Sequence, residues 1–92
     1  LVRRLDRDTA VLSARVRVEE LNEMLGLDLP ETPADTLGGL LYHEIGRVPR
    51  VGDRWRHGAI EFEVQAVERQ RVVRVLARGL AATEPAARED SA

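Results

Sequence analysis

Asp35-Thr36-Leu37-Gly38-Gly39-Leu40-Leu41, with Gly46-Arg47-Val48-Pro49-Arg50-Val51-Gly52-Asp53 close behind it, reads as a glycine-tolerant helix, a sharp stop and a turn into a sheet. Asp35 or Thr36 has the side chain of a helix N-cap. Leu37, Leu40, Leu41 and Ile45 recur at helical spacing and form a buried stripe, with Tyr42 at its border. Gly38 and Gly39 each cost about 1 kcal/mol against alanine inside a helix. Their physical use is close approach of the backbone to another element. Gly46 stops the helix.

Toward the N-terminus, Val18, Leu21, Met24 and Leu25 form the apolar edge of an earlier helix, with Glu19 and Glu20 in its first turn and Gly26 as its stop. Arg15-Val16-Arg17-Val18 alternates but leads directly into that helix. Val11-Leu12-Ser13-Ala14 is a short strand, and residues 1–9 read as a further short strand or the end of a linker.

Toward the C-terminus, Arg54-Trp55-Arg56-His57 is a short strand followed by a turn at Gly58-Ala59. Ile60, Phe62 and Val64 alternate with Glu61, Glu63 and Gln65, the pattern of a half-buried antiparallel strand. Val67 leads to a loose turn around Glu68-Arg69-Gln70. Residues 71–77 form the last strand, with Val73 and Val75 inward, Arg74 outward, and Val72 and Leu76 on the other face. From Arg78 onward no apolar stripe is visible. The expected organisation is one domain over residues 1–80 and a disordered tail over 81–92. The fold class is α+β: two short helices on one face of a small, mainly antiparallel sheet of about four strands. Their stripes meet the Ile60, Phe62 and Val64 face.

A chain of 92 residues makes one thin-cored domain. Cysteine is absent, which excludes disulfides, thiolate nucleophiles and zinc–thiolate clusters. Fourteen basic residues, all arginine, against sixteen acidic ones leave a net charge of −2. Such a balance gives no broad field to attract nucleic acid or anionic lipid. No apolar run approaches the ~18 residues of a membrane-spanning helix, so no direct membrane insertion is expected. No apolar stretch follows Leu1-Val2-Arg3-Arg4, so no signal peptide is expected.

No set of side chains has the pattern of an active site. His43 and His57 are the only histidines, without H-x₃-H or HExxH spacing. Ser13 has no G-x-S-x-G context, and Thr36 reads as a cap rather than a nucleophile. The glycines near Thr36 lie at a helix N-terminus, where free N–H groups can bind phosphate, but neither a P-loop nor a G-x-G-x-x-G fingerprint is present. Packing is the simpler use. Asp28, Glu31 and Asp35 form an acidic, proline-rich loop without the EF-hand pattern. Trp55, between Arg54 and Arg56, is either core or the anchor of a partner surface. With Glu61 and Glu63 nearby and no second aromatic for a stacking row, nucleic-acid binding is not expected.

Several of these pieces together resemble the transporter-associated domain of the CorC/HlyC family. They are Val18-Glu19-Glu20-Leu21-Asn22-Glu23-Met24-Leu25-Gly26-Leu27-Asp28-Leu29-Pro30, Asp35-Thr36-Leu37-Gly38-Gly39-Leu40, Gly46-Arg47-Val48-Pro49 and Val51-Gly52-Asp53. Gly58 with Ile60, Phe62-Glu63-Val64 and Val67 closes the series. The resemblance runs from about Leu5 to Val75. Ala14 departs from the family's usual glycine, and Ala34 from its usual aromatic before Asp-Thr.

The resemblance implies an FAD-binding-type α+β fold, without established flavin binding. It implies a non-enzymatic accessory domain of a magnesium/cobalt-type transporter or hemolysin-like membrane protein, at the cytoplasmic face of the cell membrane. Its partners would be the neighbouring CBS and membrane domains of a parent protein, and it would modulate ion transport through them. A nucleotide or flavin sensor is the alternative. The resemblance brings no catalytic, cofactor-binding or metal residues, so no such residues and no cofactor are assigned. Exposed strand edges leave pairing of two copies open.

Overall fold

The computed structural model describes residues 2–30 and 35–83. In chain order the elements are β1 (Val2–Arg4), β2 (Thr9–Ser13), α1 (Val18–Leu25), α2 (Leu37–Ile45), β3 (Arg54–His57), β4 (Ile60–Glu68) and β5 (Arg71–Arg78), then a 3-10 turn, Leu80–Thr83. The strands form one sheet in the order β1-β2-β5-β4-β3, antiparallel throughout. Both helices lie between β2 and β3 in sequence and cover one face. Their Leu21, Leu37, Leu40 and Leu41 join Leu12, Phe62, Val64 and Val75 of the sheet in a single buried cluster.

The sheet has five strands where about four were expected. The addition is β1, the segment that the sequence left open between strand and linker. The Asp6 carboxylate accepts the N–H groups of Asp8 and Thr9, both at 2.8 Å, and this turn folds β1 back onto β2. A three-residue strand with one inward apolar side chain, Val2, is too short to show a period.

Both helices begin and end where their residues predict. Thr36 caps α2, its hydroxyl accepting the Gly39 N–H at 3.2 Å, and Gly26 and Gly46 close the helices in the left-handed conformation. Met24 is a correction: it is 54% exposed, and Leu25 takes its place against the core. A helix of barely two turns turns only a narrow stripe inward, here Val18, Leu21 and Leu25.

The inward set of β5 is also corrected. Val75 and Ala77 face the core opposite Val64 and Phe62, but Val72 packs inward and Val73 is exposed. One extra residue in each strand, Gln65 in β4 and Val73 in β5, shifts the register between Val64 and Val67 and then restores it. Each insertion flips the faces of its own strand, so the core runs Phe62, Val64, Val67 on one side and Ala77, Val75, Val72 on the other.

Leu80 was not expected inside, yet it is 1% exposed. Its N–H donates to the Asp8 carbonyl at 3.0 Å, drawing the chain back under β2. A lone apolar residue in a turn carries no periodic signal. Of the tail expected over 81–92, residues 81–83 belong to this turn and 84–92 lie outside the described residues.

Two polar residues pin the segments that follow the helices. The Asn22 side chain accepts the Leu29 N–H at 2.9 Å and donates to the Leu29 carbonyl at 3.2 Å, seating buried Leu29 after α1. Asp53 accepts from the Arg47 guanidinium at 2.9 Å and from the Arg50 N–H at 2.8 Å, while its backbone pairs with Arg50 and Val64. Phe62→Ala should lower stability by about 3–5 kcal/mol and Leu41→Ala by about 2–5 kcal/mol. Asn22→Ala should cost about 1–3 kcal/mol, because it strands both backbone groups of Leu29. Urea melts check all three, and a loss well below these ranges would take the residue out of the core or the pinning contact.

Candidate functional site

Two backbone segments meet at the centre of the helical layer. The Val18 N–H donates to Asp35 at 2.8 Å, the Leu37 N–H to Val16 at 2.9 Å and the Gly38 N–H to Ala14 at 2.9 Å, with an isolated bridge between Arg17 and Thr36. Ala14 also donates to Val73 of β5 at 3.0 Å, so one residue ties the sheet to α2. A Cβ on Gly38 would stand 3.2 Å from the Ala14 methyl and 3.3 Å from its carbonyl oxygen. Close approach is therefore the use of Gly38.

This arrangement decides the anion-binding question at the start of α2. The N–H groups of Leu37, Gly38 and Gly39 are taken by Val16, Ala14 and Thr36. A phosphate would find no free backbone donor among those three.

An open cleft of about 790 Å³ lies beside them, between α2 and the β4–β5 hairpin. Gly38, Gly39 and Tyr42 form one side, Arg69, Gln70 and Arg71 the other, and Arg15 and Pro49 also line it. At the hairpin tip Arg69 and Gln70 have φ of +51° and +65°. A two-residue hairpin turn demands this conformation, and Asn-Gly supplies it most cheaply. Here two ordinary side chains are held in it at the lip of the cleft.

The other candidates scatter. His43 is exposed on α2. His57 Nε2 lies 3.1 Å from the Asp28 carboxylate, and the His57 ring stacks on Trp55, which stacks on Phe62 at a centroid distance of 5.6 Å. Trp55 is thus half-buried against the core. Asp35 faces Arg17 at 3.9 Å, and Glu31 and Ala34 lie outside the described residues. Among the described residues no three His, Asp or Glu side chains come together as metal ligands.

The face of the sheet away from the helices carries a neutralised charge ladder. Arg78 holds Glu63 at 2.7 Å and Glu61 at 3.3 Å, Arg56 meets Glu61 at 3.4 Å and Arg54 meets Glu63 at 3.6 Å. The hydrogen bond from Arg78 holds the Glu63 carboxyl below its ordinary range, and the bond from Arg47 does the same for Asp53. Arg15, Arg69 and Arg71, by contrast, make no ion pair among the described residues. The sequence reading did not single these three out. The available signal was a tight turn built without glycine or asparagine.

The sequence profile of the CorC_HlyC transporter associated domain matches residues 3–80. The chain is 29% identical over 73 residues to the magnesium and cobalt efflux protein CorC of Escherichia coli K12, covering 79% of this chain and 25% of that protein. It is 41% identical over 51 residues to a possible hemolysin C of Rickettsia canadensis, 54% of this chain and 17% of that one. The chain thus spans about a quarter or less of the length of these relatives. The transporter associated domain of a Xylella fastidiosa Temecula1 hemolysin, solved in complex with Mg++ and Mn++, superposes with a TM-score of 0.72 at 27% identity, over 85% of this chain and 94% of that one. A CorC-associated region from Neisseria meningitidis MC58 superposes at 0.78 and 24% identity, over 85% and 96%, and shares the fold.

Gly38→Ala should lower stability, although helix propensity alone would raise it by about 1 kcal/mol. Ala14 is pinned on both sides and cannot give way. Ala14→Gly in the same chain should recover part of the loss, and a double-mutant cycle read by urea melts tests the contact. The depressed carboxyls of Asp53 and Glu63, together with Asp6, which the Asp8 N–H likewise holds low, set a pH dependence. A carboxyl whose folded value is lowered stabilises the fold above its unfolded value, near pH 4, and that contribution disappears as the pH falls through the lower folded value. The melting temperature should therefore drop on acidification below about pH 4. Asp53→Asn and Glu63→Gln should each shrink the drop, and unchanged curves would remove these pairs as its source.

Proposed function

Because the chain belongs to the CorC/HlyC transporter-associated domain family, whose members are non-catalytic accessory modules of larger proteins, we propose that it regulates a cation transporter of the magnesium/cobalt type or a hemolysin-like membrane protein. Residues 1–80 are the working unit. It acts at the cytoplasmic face of the membrane by contact with neighbouring CBS and membrane domains of its parent. Such contacts shift the transport equilibrium by the difference in contact energy between two states of the membrane domain. No helix among the described residues is long and apolar enough to cross a membrane.

The observation that carries this reading is the match over residues 3–80, almost the whole described fold, to a domain that is about a quarter of a magnesium and cobalt efflux protein. The open cleft agrees with it. Converging free N–H groups would favour a nucleotide or flavin sensor, and at the start of α2 those groups are taken.

Deleting this domain from the full-length protein should change magnesium or cobalt efflux from loaded cells while leaving the protein in the membrane. Unchanged efflux would overturn the regulatory role. In a thermal-shift panel of adenine nucleotides, flavins, magnesium and cobalt, the isolated chain should show no saturable rise. A saturable rise with one compound would make it a sensor instead.

A further inference from the structure

The cleft between α2 and the β4–β5 hairpin is one-sided in charge. Among the described residues Arg15, Arg69 and Arg71 line it and no carboxylate does. Elsewhere Arg47, Arg54, Arg56 and Arg78 each hold a carboxylate, and Arg17 faces one. These three have no such partner among the described residues. The local positive field also runs against the net charge of −2. Between the arginines the half-buried Val48 and Val72 line it, and the exposed Tyr42 ring stands at the edge.

We propose that this cleft docks an acidic, extended polypeptide segment. Its carboxylates meet Arg15, Arg69 and Arg71, and an intervening apolar side chain lies against Val48 and Val72. The proposal rests on the reading that the domain works by contact with the rest of its parent protein. A guanidinium fork matches a carboxylate in two parallel hydrogen bonds, which gives orientation as well as attraction. A small phosphate ligand fits less well. The nearest helix N–H groups are spent on the protein, and Arg15, Tyr42, Arg69, Gln70 and Arg71 are all exposed, so the cleft cannot wrap a small molecule. The left-handed backbone at Arg69 and Gln70 fixes the hairpin tip, so the lip is shaped before a partner arrives.

The test uses the whole chain and a fluorescein-labelled peptide of alternating glutamate and leucine. Its lysine–leucine counterpart is the control, and inorganic phosphate and ATP are competitors. The acidic peptide should bind saturably below about 1 mM, and binding should weaken as salt is raised. Arg15→Glu, Arg69→Glu and Arg71→Glu should each weaken binding by roughly tenfold. Arg3→Glu, the same charge change on β1, should leave it within about twofold. All four residues are exposed, and unchanged melting temperatures confirm that each variant is folded. No saturable binding, equal binding of the two peptides, or equal effects of Arg3→Glu and the cleft variants would each overturn the proposal. Displacement by phosphate or ATP at concentrations where sodium chloride of equal ionic strength has no effect would reassign the cleft to a phosphate ligand, also against it. In the full-length protein, an efflux change on domain deletion but none in the triple variant would retain the regulatory role and overturn the docking site.

Discussion

The backbone ladder between Ala14–Val18 and Asp35–Gly38 is the interaction on which the rest of the molecule depends. Three N–H···O=C bonds of 2.8–2.9 Å join the approach to α1 with the start of α2. Because Ala14 also bonds to β5, the ladder is an extension of the sheet into the helical layer. It fixes where α2 begins, and so where Leu37, Leu40 and Leu41 enter the core. It consumes donors that a helix start would otherwise offer to solvent or to a ligand. One local arrangement thus sets the packing and removes one kind of chemistry.

The same arrangement explains why a glycine-rich helix start is stable here. In isolation, Gly38 and Gly39 would weaken the first turn of α2. In place, the turn is held from outside by Ala14 and Val16 and from within by the Thr36 hydroxyl. Gly38 lets the two backbones reach hydrogen-bonding distance, and the methyl of Ala14 fills the space so created. Positions 14 and 38 are therefore one choice and not two.

Much of this fold was legible in the residues. The helix limits followed from Thr36, Gly26 and Gly46, the core face of β4 from Ile60, Phe62 and Val64, and the family from motifs in the expected order. What was missed has a common cause. A period is informative only over several repeats, and β1 and the Leu80 turn offer fewer. At Val72 and Val73 the alternation was real, but paired insertions at Gln65 and Val73 shifted its phase. A strand cannot announce its own bulge, because the partner strand decides it. The cleft was hidden for a related reason: Arg15 is far in sequence from Arg69 and Arg71 and meets them only through the fold.

The distribution of charge separates two kinds of surface. On the outer sheet face, Arg54, Arg56 and Arg78 alternate with Glu61 and Glu63 across neighbouring strands, so each cation already has its anion. Exposed pairs of this kind contribute little to stability. Their larger effect is to cancel the field of that face and remove its attraction for other anions. Around the cleft no such cancellation occurs, and the hairpin tip keeps its arginines in place with a backbone that ordinary residues adopt at a cost. A fold that neutralises the arginines of its outer sheet face and gathers three unpaired ones at one cleft concentrates positive charge there. For a domain without a catalytic set, that concentration is the feature most able to select a partner.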